Sequence, residues 1–135
     1  MTNYPVKILI AFGEAVSGND KIFNWLLNNG YPELAALAKS INASETAFDW
    51  LMQNGFQRFA AFSNALDDDA QAYKWLADNN NTFLAILSDA CHREEKAIAW
   101  FNNQNLKVFT IIASKIYEVK MQQRNESYYP YKKRF

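Results

Sequence analysis

Residues 19–30 read NDKIFNWLLNNG, and the same design returns as SETAFDWLMQNG at 44–55, DAQAYKWLADNN at 69–80 and EEKAIAWFNNQN at 94–105. The four tryptophans of the chain, Trp25, Trp50, Trp75 and Trp100, are thus spaced by 25 residues. Other columns keep that spacing. Leu26, Leu51, Leu76 and Phe101 follow each Trp, and Ile22, Ala47, Ala72 and Ala97 stand one helical turn before it. Further on come Leu34, Phe59, Leu84 and Phe109, then Leu37, Phe62, Leu87 and Ile112, then Ile41, Leu66, Cys91 and Ile116. Agreement across so many columns in one register argues for an internal repeat.

Each 25-residue unit reads as two helices. In the first, apolar residues fall at the i, i+3, i+4 spacing of a helical face. Asn19, Ser44 and Asp69 occupy the start, where a side-chain oxygen accepts from unpaired backbone N–H groups. Glu94 holds that place in the last unit, a weaker cap that still suits the helix dipole. The helix is expected to stop at Gly30, Gly55, Asn80 and Asn105, since Gly and then Asn most readily take the left-handed conformation after a helix. Asn-Gly can also mark a β-hairpin, but the flanks lack strand alternation. The second helix carries apolar residues at 31, 34, 37, 38 and 41, with Pro32 in its first turn, where the missing N–H costs nothing.

The start of the chain fits the same register. Val6, Leu9, Phe12 and Val16 lie 25 before Tyr31, Leu34, Leu37 and Ile41, so residues 5–17 read as the second helix of a unit without its first. VKILIAF could instead be a secretory apolar segment, but Lys7 interrupts it and no basic stretch precedes it. The expected organisation is a half-unit at 4–18, repeats at 19–43, 44–68, 69–93 and 94–118 with an extended last helix, one domain over 1–124, and a tail at 125–135.

This pattern resembles the helix-hairpin repeat proteins of the α-solenoid class, which includes the HEAT, armadillo and tetratricopeptide families. The unit of 25 is shorter than theirs, and Trp50-Leu51-Met52-Gln53 lacks the tetratricopeptide signature. The resemblance implies an all-α, right-handed stack of antiparallel helical hairpins, about nine helices in all, of a kind usually used for binding.

Composition agrees with a folded helical chain. Half of the 135 residues are hydrophobic, too many for intrinsic disorder, and no apolar run approaches the length of a membrane span. A single Cys and a single His exclude a disulfide framework and any two-His metal site within one chain. No cofactor is expected.

The residues that could carry chemistry have plainer readings. A Trp ladder could stack bases or sugars, but each Trp stands beside Leu or Phe, so packing between hairpins with the indoles mostly buried is the expectation. Asp67-Asp68-Asp69 lacks the spread of oxygen ligands and the internal Gly of a calcium loop and reads as a turn ending in a cap. Cys91-His92 are neighbours, yet adjacent helical residues point about 100° apart, so they do not form a dyad. Cys91 falls in a core column and His92 in a polar one. Residues 13–19 lack the Lys-Ser/Thr of a phosphate-binding loop.

Two features depart from the repeat. At second-helix positions beside the core face, Glu33 and Arg58 give way to Phe83 and Val108, and Ala36 and Ala61 to Ile86 and Ile111. An apolar patch on the last two hairpins is therefore expected, covered by a partner or by the tail. Second, residues 115–135 hold six bases against two acids, a net +4, while the remaining residues hold eight bases and twelve acids, a net −4. Tyr128, Tyr129, Tyr131 and Phe135 interleave with Lys132, Lys133 and Arg134. The tail is expected to fold back over Phe83, Ile86, Val108 and Ile111.

The sequence therefore points to a non-enzymatic protein-interaction or scaffold module in the cytoplasm. Its partner is another protein, with no membrane involved, and the chain is a monomer or weak homodimer. Candidate partner-binding residues are Phe83, Ile86, Val108, Ile111, Tyr128, Tyr129, Tyr131, Lys132, Lys133 and Arg134. Nucleic acid bound through the basic tail is the alternative.

Overall fold

The computed structural model describes residues 1–126, which form nine α-helices and no strand. These are α1 Val6–Val16, α2 Asp20–Asn28, α3 Pro32–Ile41, α4 Glu45–Gln53, α5 Gln57–Ala65, α6 Ala70–Asp78, α7 Thr82–Cys91, α8 Glu95–Asn103 and α9 Lys107–Asn125. The even helices begin at 20, 45, 70 and 95, in step with the tryptophans. The last helix runs on through Asn125.

Local chemistry sets the boundaries as expected. Asn19 and Ser44 accept from the amides of Ile22 and Ala47, and Asp69 accepts from both Gln71 and Ala72. Glu94 makes no capping bond. Gly30, Gly55, Asn80 and Asn105 all have positive φ, between 57° and 92°. A second column shares that conformation: Gly18, Ala43, Asp68 and Arg93, with φ of 100°, 71°, 67° and 64°. In all eight turns the residue after the left-handed one donates its amide five residues back, as Asn19 to Glu14, Tyr31 to Leu26 and Leu106 to Phe101. This is the Schellman closure of a helix C-terminus. Asn29, Asn54 and Asn79 each also donate Nδ2 to the carbonyl of Trp25, Trp50 or Trp75.

The tryptophans are not the deep core. Trp25 is 46% exposed, and Trp50, Trp75 and Trp100 are half-buried. The sequence expectation of mostly buried indoles is corrected on this point. The fully buried place goes to the next residue, Leu26, Leu51, Leu76 and Phe101. The first two indoles instead lie against the residue that starts the following helix. Trp25 stacks on Tyr31 at 6.3 Å and Trp50 on Phe56 at 5.8 Å. One apolar cluster runs through the described chain, built chiefly from the columns of Leu9, Phe12 and Val16 and their counterparts.

The arrangement of helices is a closed ring. The odd helices form an inner layer in which α1 packs on α3, α3 on α5, α5 on α7, α7 on α9 and α9 on α1. The contact of α9 with α1 is as extensive as any between helices in the fold. The even helices form an outer layer: α2 lies against α1 and α3, α4 against α3 and α5, α6 against α5 and α7, and α8 against α7 and α9. An open stack would leave both ends bare; here the two ends cover each other.

The inner helices share one direction, so their C-termini meet at one end of the ring. Asn42, after α3, donates to the carbonyl of Val16 at the end of α1 at 3.0 Å. The long α9 crosses this end. Lys120 there is only 6% exposed; it pairs with Asp67 at 3.0 Å and donates to the Ile41 carbonyl at 2.8 Å. Gln123 donates to the same carbonyl at 3.0 Å. A cation among converging helix C-termini meets the negative ends of several helix dipoles.

Candidate functional site

Four of the five junctions between neighbouring inner helices are covered on the outside by an even helix. The fifth, between α1 and α9, has no described helix over it. Apolar side chains are consequently open to solvent here: Val6 is 59% exposed, Ile10 51% and Ile111 48%. Val6 shows the cause most directly. It stands in the column of Tyr31 and Phe56, each of which carries the indole of the preceding outer helix. No outer helix precedes α1 in the described chain, so Val6 has no indole over it. In the Trp column the next position after Trp100 is Asn125, which is already inside α9.

The junction itself is tightly made. Gly13 of α1 lies under Lys115 of α9, whose Cδ would stand 3.1 Å from a β-carbon at Gly13. Lys115 reaches on to Glu14 at 3.5 Å. The N-terminal ends of the two helices carry Lys7 and Lys107, both exposed. The site is thus an apolar strip with cations at one end.

Of the candidate residues, Ile111 belongs to this strip. Phe83 does not: its ring meets Trp100, Phe101 and Phe109 edge-on at 6.2, 5.5 and 5.0 Å, inside the contact of α7 with α8 and α9. Ile86 and Val108 are half-buried against the core. The four residues therefore do not make one open patch. Val6 and Ile10 carry the other half of the strip. Sequence reasoning passed over them because it placed α1 at the far end of an open stack, a whole chain away from α9. Tyr128, Tyr129, Tyr131, Lys132, Lys133 and Arg134 lie outside the described residues, as does the proposed folding back of the tail.

A second apolar surface lies between α2, α3 and α4. It is a cleft of about 350 Å³ whose lining includes Phe23, Leu27, Ala35, Ala36 and Trp50, with Lys39 at its side. The Lys39 ammonium sits 4.4 Å from the Phe23 ring centroid. The cleft exists because Ala35 and Ala36 are small. On α7 the corresponding column holds Ile86.

The polar groups have structural work. Asp69 caps α6, Asp67 pairs with Lys120, and Asp68 meets both His92 at 2.9 Å and Arg124 at 3.4 Å. Each carboxylate of the acidic triplet thus has its own protein partner. His92 uses both ring nitrogens, Nδ1 with the Ser88 carbonyl at 2.8 Å and Nε2 with Asp68. Cys91 is buried, and burial pushes its thiol well above the ordinary value. Three of the six bases counted in the basic C-terminal stretch, Lys115, Lys120 and Arg124, are held by Glu14, Asp67 and Asp68. No helix among the described residues is long and apolar enough to cross a membrane. Comparison with protein-family models, with curated proteins and with solved structures finds no match.

Proposed function

We propose that the chain is a non-enzymatic helical-repeat module, built from a half-unit and four 25-residue hairpins, that binds another protein through the α1–α9 junction. The observation that carries this reading is the apolar strip of Val6, Ile10 and Ile111 on a surface whose four counterparts are covered. A contiguous apolar strip with a charged rim is the usual composition of a protein contact. The absence of enzymatic activity is supported by the state of the one nucleophile and base close in sequence. Cys91 is buried as a raised-pKa thiol, which is inert. His92 is committed at both nitrogens.

Binding of nucleic acid would need a basic face, and the internal pairs of Lys115, Lys120 and Arg124 leave that reading to Lys132, Lys133 and Arg134. The test is comparative capture from native lysate, with wild type and an Ile10→Asp/Ile111→Asp variant as baits. A protein retained by the first and lost by the second supports the reading. Recovery of nucleic acid in its place, unaffected by the variant and reduced by salt, overturns it.

A further inference from the structure

We propose that the occupant of the α1–α9 junction is an amphipathic helix supplied by a partner, docking antiparallel to α1 and α9 as a fifth outer helix. This rests on the interaction-module reading and names the partner chemistry. The molecule contains four worked examples of the contact. In each, a nine-residue helix lies against two successive inner helices and buries the residue after its tryptophan completely. In the first two the indole covers the residue that opens the next inner helix, and in all four Ile22 or an Ala sits one turn before the indole.

The fifth junction is built in the same register. Between α3 and α5 the facing residues are Ser40 and Ser63, whose hydroxyls meet at 2.7 Å. Those two columns contain Lys115 on α9 and Gly13 on α1, and these are the residues that meet at the closure. The inner ring therefore closes in the register it has elsewhere, and the outer side of this junction is the place an outer helix takes at the other four. Val6 is the exposed counterpart of Tyr31 and Phe56, and Ile10 and Ile111 provide apolar floor.

Charge complements the direction. An outer helix runs against the inner ones, so its C-terminus arrives at the N-terminal ends of α1 and α9. Lys7 and Lys107 stand there, and neither makes a salt bridge within the described chain. Cations beside the bare carbonyls of a helix C-terminus are favourable. The same lysines disfavour a second copy of this chain in the parallel pairing of two junctions, which would bring four lysines together.

The recognised ligand is thus a helix of about three turns with a small residue, then an aromatic and an adjacent large aliphatic or aromatic residue at i, i+3 and i+4. The probe is a labelled peptide with the sequence of residues 94–105, EEKAIAWFNNQN, bridged on its polar face because a free helix of this length is marginal in water. It is titrated against the full chain and against Val6→Asp/Ile10→Asp, a change of two exposed residues on α1, away from the groove that α8 itself fills. Saturable binding that weakens about tenfold or more in the variant supports the proposal. A Lys7→Glu/Lys107→Glu variant should weaken it as well.

Absence of saturable binding up to about 1 mM overturns it. So does binding that ignores the α1 substitutions, or a wild-type dimer that Ile10→Asp dissolves. Tightening by about tenfold or more on deletion of residues 127–135 would make the chain's own tail the occupant and overturns it too. If the peptide fails while lysate capture remains dependent on Ile10 and Ile111, only the helical identity of the partner falls.

Discussion

The stem of Lys115 lies across Gly13, so near that a β-carbon at Gly13 would stand 3.1 Å from Cδ and 3.6 Å from Cε. These two residues, about a hundred positions apart, close the ring. Gly13→Leu should force α1 and α9 apart and cost about 1–3 kcal/mol, the usual penalty for overpacking. Gly13→Ala should fall within about 1 kcal/mol of wild type, because a better helix former offsets a contact that the flexible Lys115 stem can yield. Urea midpoints for the two variants check this, and equal destabilisation by both would place the constraint elsewhere.

The serines of the inner layer make a sharper comparison. Ser40 and Ser63 share a buried hydrogen bond, whereas the buried Ser88 hydroxyl has no partner among the described residues. The register that sets Ser63 against Ser40 sets Ser88 against Ala65. Ser88→Ala should therefore be neutral or stabilising, while Ser63→Ala should cost about 1–3 kcal/mol by orphaning Ser40. Ala65→Ser should stabilise by giving Ser88 its partner. Thermal melts of the three variants decide the order.

Two left-handed residues should improve on replacement by glycine. Ala43 and Arg93 hold φ of 71° and 64°, where a β-carbon is strained and neither side chain is of the kind that tolerates it. Ala43→Gly and Arg93→Gly should each raise stability by up to about 1 kcal/mol. Gly55→Val should lower it by more than that. Chemical denaturation measures all three, and a loss on Ala43→Gly would contradict the strain argument.

These turns also show what sequence could and could not reveal. The Gly30, Gly55, Asn80 and Asn105 column was legible because the residue type that permits positive φ recurs in it. The Gly18, Ala43, Asp68 and Arg93 column has the same backbone but no shared side-chain chemistry, so it left no signal. Closure of the ring was hidden for a different reason. A period reports how each unit meets the next and says nothing of whether the last meets the first. Once α9 was taken as a free end, Lys115, Lys120 and Arg124 looked like a basic tail. Their partners, Glu14, Asp67 and Asp68, lie far away in sequence and come near only because α9 closes on α1 and then crosses the C-terminal end of the ring.

The buried pair at the C-terminal end should behave as a unit. Lys120 is buried against Asp67, and burial holds its ammonium below the usual lysine value. Lys120→Met would take its buried cation from the Asp67 carboxylate, and should cost about 3–5 kcal/mol. Asp67→Leu alone should cost a similar amount. The double variant should recover most of the loss, since replacing both members of a buried ion pair by apolar groups is often neutral. A double-mutant cycle measures this, and simple additivity would show that the pair does not act together.

Alkaline pH separates two buried groups with opposite signs. Burial raises the Cys91 thiol above its ordinary value of 9.0, so the folded chain keeps a proton that the unfolded chain releases. The Cys91 contribution is thus whole below pH 9 and is lost as pH rises beyond it. Lys120 runs the other way. Its lowered value means that, as pH climbs toward the ordinary 10.5, the unfolded chain holds more of that proton and stability rises. Subtracting Cys91→Ala from wild type at each pH removes the Lys120 contribution apart from the charge interaction of Lys120 with Cys91 itself. The difference should be flat to about pH 8.5 and then shift against wild type, with a limiting slope of about 1.4 kcal/mol per pH unit for one proton. A flat difference up to pH 10.5 would mean that the thiol ionises alike in both states, and that Cys91 is reached by solvent in the folded chain.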